Sequence, residues 1–110
     1  MAPEEVPPAV DGPLTMNVTL VIQPEHREHY LSELREVLPQ ARAEDASVYL
    51  LVGEVVDQPG TFVLSECWRN ADEYVNQILR RPYFQRYVER TERLYAIPRT
   101  VLVLAPVALD

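Results

Sequence analysis

The sequence predicts an α+β fold of the ferredoxin-like kind, β-α-β-β-α-β, with a four-stranded antiparallel sheet and helices on one face. Three observations carry this. Short β-branched, apolar runs lie at 17–22, 47–56, 61–68 and 100–104. Apolar residues at helical spacing fill the stretches after the first and third runs. The turn Asp57-Gln58-Pro59-Gly60 joins the second and third runs into a hairpin.

The elements follow in chain order. Residues 1–15, MAPEEVPPAVDGPLT, contain Pro3, Pro7, Pro8 and Pro13 and no hydrophobic period, which predicts a flexible Pro-rich leader ahead of one domain at 16–107. Asn17-Val18-Thr19-Leu20-Val21-Ile22 is a strand bounded by Pro24. From Glu25, the residues Tyr30, Leu31, Leu34, Val37, Leu38 and Ala41 recur at helical spacing, with Glu28, Arg35, Glu36 and Arg42 on a wet face. Pro39 is expected to end or kink this helix, because it lacks an N–H and its ring crowds the preceding turn. SVYLLVGEVV (47–56) and TFVLSECW (61–68) are the hairpin strands. Asn70, three residues before Glu73, reads as a helix N-cap with a capping-box partner, opening a short helix to about Leu79. Pro82 suits the first turn of the next helix, whose stripe is Tyr83, Phe84, Tyr87, Val88 and Leu94. Pro98 stops it, and TVLVL (100–104) closes the sheet.

Composition narrows the function. The chain has 110 residues, one domain's worth, and a net charge of −7. An acidic surface without a basic stripe disfavours nucleic acid. No apolar run approaches the roughly 18 residues of a membrane span, and the N-terminus lacks the pattern of a secretory signal. All ten basic residues are Arg, so Schiff-base chemistry and a phosphate-loop lysine are excluded. The single cysteine cannot form an internal disulfide, which fits a reducing cytoplasm. A domain this small that also houses a cavity is marginal alone, so an oligomer is expected. The sheet face carrying Val63 and Cys67 is too apolar for water and predicts a second sheet packed against it.

PGTFVLSECWRNADEY (59–74) followed by RRPYFQRYVE (80–89) resembles the antibiotic biosynthesis monooxygenase family of the dimeric α+β barrel superfamily. The shared pattern is a Gly after an acidic turn, an apolar strand, Glu-x-Trp, an acidic helix start and an aromatic-bearing helix; the likeness covers about 16–106. It implies a homodimer whose two sheets close into one barrel, with a cavity between sheet and helices in each subunit. It also implies oxidation of phenols, hydroquinones or anthrones to quinones by O2, with no cofactor. The quinone-forming branch typified by actinorhodin biosynthesis carries a strand-end Trp and a Tyr six residues later, matched by Trp68 and Tyr74. Its Asn falls at Leu64 and its helix Arg at Val88, between Arg86 and Arg90. The haem-degrading branch would place its Asn at Asn17, but its Trp and His positions hold Gln77 and Tyr87.

Strand alternation then groups Phe62, Leu64, Glu66 and Trp68 on one face, and Thr61, Val63, Ser65 and Cys67 on the other. With Trp68 toward the cavity, Glu66 faces it too. A carboxylate among Phe and Trp has its pKa raised by desolvation, which suits a general base for an acidic phenol or anthrone. The alternative is that Glu66 pairs with Arg86 or Arg90 and only fixes the helix. The Trp68 N–H needs a partner when buried, and a substrate carbonyl is one candidate. Tyr74 either bonds a phenolate oxygen or covers the cavity with its ring. Asn17 either binds a substrate oxygen or satisfies backbone.

The expected catalytic set is therefore Trp68, Tyr74, Glu66 and Asn17, with Leu64, Phe62, Phe84, Tyr87 and Arg86 against a small aromatic substrate. Tyr83, Phe84 and Tyr87 also suit plain core packing. His26 and His29 have no third ligand at diagnostic spacing, so no metal is expected. Cys67 reads as a buried structural thiol. A binding or accessory protein, or a cyclase or isomerase on the same scaffold, remains open.

Overall fold

Alternation builds the sheet. β1 (Leu14–Val21), β2 (Ser47–Glu54), β3 (Thr61–Trp68) and β4 (Thr100–Leu104) pair antiparallel in the order β2-β3-β1-β4. The computed structural model describes residues 10–107. Leu14, Met16, Val18 and Leu20 of β1 point inward and are buried, and so are Phe62, Glu66 and Trp68 of β3. Each fully buried aliphatic of this stripe contributes roughly 1.5–3 kcal/mol. The expected ferredoxin-like α+β fold is present.

Helices cover the inward side. α1 (Arg27–Arg42) buries Tyr30, Leu34, Val37 and Ala41 against the sheet, with the Tyr30 ring 5.1 Å from that of Phe62. α2 (Ala71–Asn76) starts where predicted, the Asn70 side chain accepting from the Glu73 N–H. It gives way to a 3₁₀ turn at Ile78–Arg80, and α3 (Pro82–Thr91) then lies beside α1. The hairpin is clamped to the start of α1. Arg27 donates Nε and Nη2 to the two carboxylate oxygens of Glu54, and the Gly60 N–H donates to Glu54 as well.

Three boundaries differ from expectation. β1 begins at Leu14 rather than Asn17, and Val10 and Gly12 already engage the domain, the Gly12 carbonyl accepting from the Ala71 N–H. The proposed leader up to position 9 lies outside the described residues. α1 runs through Pro39 to Arg42, because its last turn is held from outside. Ala41 is buried there, and the Arg42 guanidinium donates twice to the Leu50 carbonyl. β2 stops at Glu54, where the chain turns and the Val55 N–H bonds the Thr61 carbonyl. No helix among the described residues is long and apolar enough to cross a membrane.

Candidate active site

The cavity between sheet and helices opens to solvent, with about 520 Å³ of space between atoms when the solvent at its mouth is counted. Its apolar wall comes from Val18, Leu20, Leu34, Val37, Leu50, Leu64 and Phe84. Its polar groups are Glu66, Trp68, Tyr74, Tyr87, Tyr95 and Arg99.

Glu66 is the central group. It stands in the middle strand pair, only 6% exposed, on the inward parity of β3. The Trp68 Nε1–H donates to its carboxylate at 3.0 Å. That bond spans two residues of one strand, since positions 66 and 68 share a face. Burial pushes the Glu66 carboxyl up to about 7, opposed by the Trp68 hydrogen bond and by the charge of Arg99. A carboxyl titrating there is partly ionised at neutral pH, which is what general-base chemistry requires.

The aromatic groups frame it. Trp68 is fully buried, its ring 5.0 Å from that of Tyr74. Desolvation holds the Tyr74 phenol well above its ordinary value, so it is a neutral donor throughout the working range. Tyr87 and Tyr30 share a hydrogen bond between their hydroxyls at 2.7 Å. Both phenols are raised by burial first. This bond ties α3 to α1, while Thr91 Oγ1 donates to the Tyr87 carbonyl within α3 itself.

The expected residues divide. Trp68, Tyr74, Glu66, Leu64, Phe84 and Tyr87 meet at the cavity. Phe62 shares their face but packs under Tyr30 as core. Asn17 does not join them. It sits on the outward parity of β1, opposite Ser65 and Leu102, because Met16 and Val18 take the inward positions. Arg86 lies in a groove between α1 and α3 with Glu33, Glu36, Tyr83 and Arg90, on the far side of Tyr87. Neither Arg86 nor Arg90 is the charge that acts on Glu66. Arg90 instead lies 3.6 Å from Glu36. Among the described residues no cluster of three or more His, Cys, Asp or Glu has the arrangement to hold a metal ion.

The missed residues are Arg99 and Tyr95. Arg99 had a usable signal: it shares parity with Val101 and Val103, the inward positions of β4. Tyr95 had none, because its place depends on a lone bridge to Ile22.

Comparison with known proteins agrees with this fold. The family model described as antibiotic biosynthesis monooxygenase matches residues 13–90. The protein of Bacillus subtilis (strain 168) named "Putative monooxygenase YcnE" is 28% identical over 91 residues, covering 81% of this chain and 93% of that protein. Rv0793 from Mycobacterium tuberculosis superposes with a TM-score of 0.78 at 25% identity, over 88% of this chain and 97% of that one. A Caulobacter crescentus CB15 chain at 14% identity, TM-score 0.80, covering 89% and 92%, shares the fold. The match over 13–90, which takes in β1 through α3 with Glu66, Trp68 and Tyr74, means that this chain belongs to the antibiotic biosynthesis monooxygenase family.

Proposed function

We propose that the chain is a cofactor-independent monooxygenase that oxidises an aromatic phenol, hydroquinone or anthrone to a quinone with O2, acting as a homodimer. The observation that supports it most is the Glu66 carboxyl, buried at the polar edge of an apolar cavity and titrating near 7. In an anthrone, Glu66 takes a proton from the ring CH2, and the resulting carbanion is delocalised onto the ring oxygen. The carbanion passes one electron to O2, and the two radicals combine to a peroxide. Glu66 returns its proton to give the hydroperoxide. Loss of water, with the second C–H proton, leaves the quinone carbonyl. One oxygen atom of O2 enters the product and the other leaves as water. The protein contributes a base of matched pKa, a dry wall and polar groups beside the developing anion.

The homodimer reading is supported by the outer sheet face, where the edge strands carry Leu51 and Leu102, 61% and 62% exposed, on either side of Ser65 and Asn17. Large exposed apolar side chains at both edges of one sheet face favour a covering partner.

The test is O2 uptake by purified protein with a panel of anthrones and hydroquinones, followed by mass analysis of the product formed under ¹⁸O2. With an anthrone the expected result is one labelled oxygen per quinone, and a rate that rises with pH to a plateau above about 7. Glu66→Gln is expected to reduce turnover by roughly 10²–10⁴. Turnover without O2 consumption would replace oxidation by an isomerase or cyclase using the same base. Binding without turnover would leave a carrier of small aromatics.

A further inference from the structure

The cavity holds one acidic and one basic side chain among apolar walls, Glu66 on β3 and Arg99 just ahead of β4. β3 and β4 flank β1 on opposite sides, in the order β3-β1-β4, so the two side chains approach the cavity from either side of β1. Nε and Nη2 of Arg99 are shielded from solvent, so its charge acts through a medium that screens it poorly. Tyr74, Tyr87 and Tyr95 line the same space. Among the cavity-lining groups, Glu66, Tyr74, Tyr87, Tyr95 and Arg99 are therefore the titratable ones around any bound oxygen.

We infer that Arg99 is the anion holder of this site, keeping the substrate's oxygen as an oxyanion once Glu66 has taken its proton, so that the cavity selects rings bearing an acidic hydroxyl or an enolisable carbonyl. The inference deepens the proposed function and rests on Glu66 being its base. The step balances without a further reagent. The substrate O–H (or the C–H beside a carbonyl) breaks, an O–H forms on Glu66, and the negative charge passes from the carboxylate to the substrate oxygen. The cavity contains one negative and one positive charge before and after. Moving the charge between two positions that both feel Arg99 avoids creating an unpaired ion in a low-dielectric space, which is the costly alternative. Arg99 also lowers the Glu66, Tyr74 and Tyr87 pKa values, the direction expected of a cation that stabilises any anion formed there. A guanidinium suits this task because it keeps its charge at every working pH.

The probe is 4-nitrophenol, which is yellow only as the phenolate, with 4-nitroanisole as its neutral counterpart. The chain's single tryptophan lines the cavity, so quenching of Trp68 fluorescence reports occupancy independently of colour. Bound nitrophenol is expected to stay yellow about one pH unit or more below the point at which the free dye loses colour. That preference corresponds to about a tenfold stabilisation of the anion over the neutral form, in the range of one charge-assisted hydrogen bond. Arg99→Gln is expected to bind the dye colourless and about tenfold more weakly, Arg99→Lys to recover part of both, and nitroanisole to bind all three alike. The wild-type spectrum needs no variant, so a poorly folding Arg99→Gln protein leaves the test intact. Nitrophenol that quenches Trp68 yet titrates as the free dye does overturns the inference, as does equal ionisation in Arg99→Gln or an absence of quenching. The readout does not involve O2. Ionised dye without O2 uptake on any ring would remove oxidation and keep Arg99 in its role, whereas uptake with unionised dye would remove Arg99 alone.

Discussion

Replacing Glu66 by Gln is expected to change the pH dependence of stability more than stability itself. The folded-state carboxyl is raised from 4.5 to about 7 by burial. Between those values the folded chain holds a proton that the unfolded chain has released. Stability therefore falls as pH rises through this window, and the raised acid is most costly above 7. At 1.36 kcal/mol per pH unit, the gap from 4.5 to about 7 corresponds to about 3 kcal/mol in all. About 2 kcal/mol of it falls between pH 5.5 and 8.5, clear of precipitation near the pI of 4.8. The substituted glutamine has the same shape as the native side chain, its amide oxygen still accepts from Trp68, and it does not titrate. Urea unfolding at both pH values, at one fixed protein concentration because a dimer's stability depends on it, gives the comparison. The expected result is that the wild type loses about 2 kcal/mol more than the variant between pH 5.5 and 8.5, equivalent to roughly 10 °C in Tm for a domain of this size. Parallel pH profiles would refute the reasoning, because they would mean that Glu66 ionises in the fold as easily as in the unfolded chain.

Other outcomes follow from the same geometry. Glu54 is held down to about 2 by the Arg27 fork and the Gly60 N–H, so its contribution is present above about 4.5 and lost as pH falls toward 2. Glu54→Gln should flatten the acid limb of a Tm-against-pH curve. Gly60 has φ +89° and an added Cβ would lie 3.0 Å from the Ile22 carbonyl oxygen, so Gly60→Ala should cost at least about 1–2 kcal/mol in chemical denaturation. Trp68→Phe removes a hydrogen bond that favours the ionised carboxylate, so the rising limb of the pH–rate profile should move to higher pH, whereas a purely structural role would lower the rate without moving it. If the proposed homodimer forms through the outer sheet face, Leu51→Asp together with Leu102→Asp places charge in it, and light scattering should find dimer for the wild type and monomer for the variant.

Local pattern carried most of the architecture. Period-2 alternation in 61–68 told Glu66 and Trp68 from Ser65 and Cys67, and the structure keeps that division. The same rule applied to Thr15-Met16-Asn17-Val18-Thr19-Leu20 puts Asn17 outward with the threonines. The family likeness pointed the other way, and for this position the alternation is the better guide. Pro39 misled for a different reason. A helix breaker is read from its own missing hydrogen bond, while the bonds that hold the last turn of α1 reach across to Leu50 in β2.

What the chain's own residues determined is the number and order of strands and helices, the inward set of β3 and the presence of one acidic group among aromatics. These depend on neighbours within a few positions, and near-neighbour geometry is the same in any fold. What only the tertiary structure decided is which groups meet Glu66. Arg99 lies 33 positions away along the chain, beyond two helices, and reaches the cavity because β4 pairs with β1 rather than with β3. Arg86 and Arg90, nearer in sequence, are turned by α3 toward α1 and its glutamates. The carboxyl's displacement to about 7 is likewise a property of enclosure, because desolvation depends on every wall of the cavity at once.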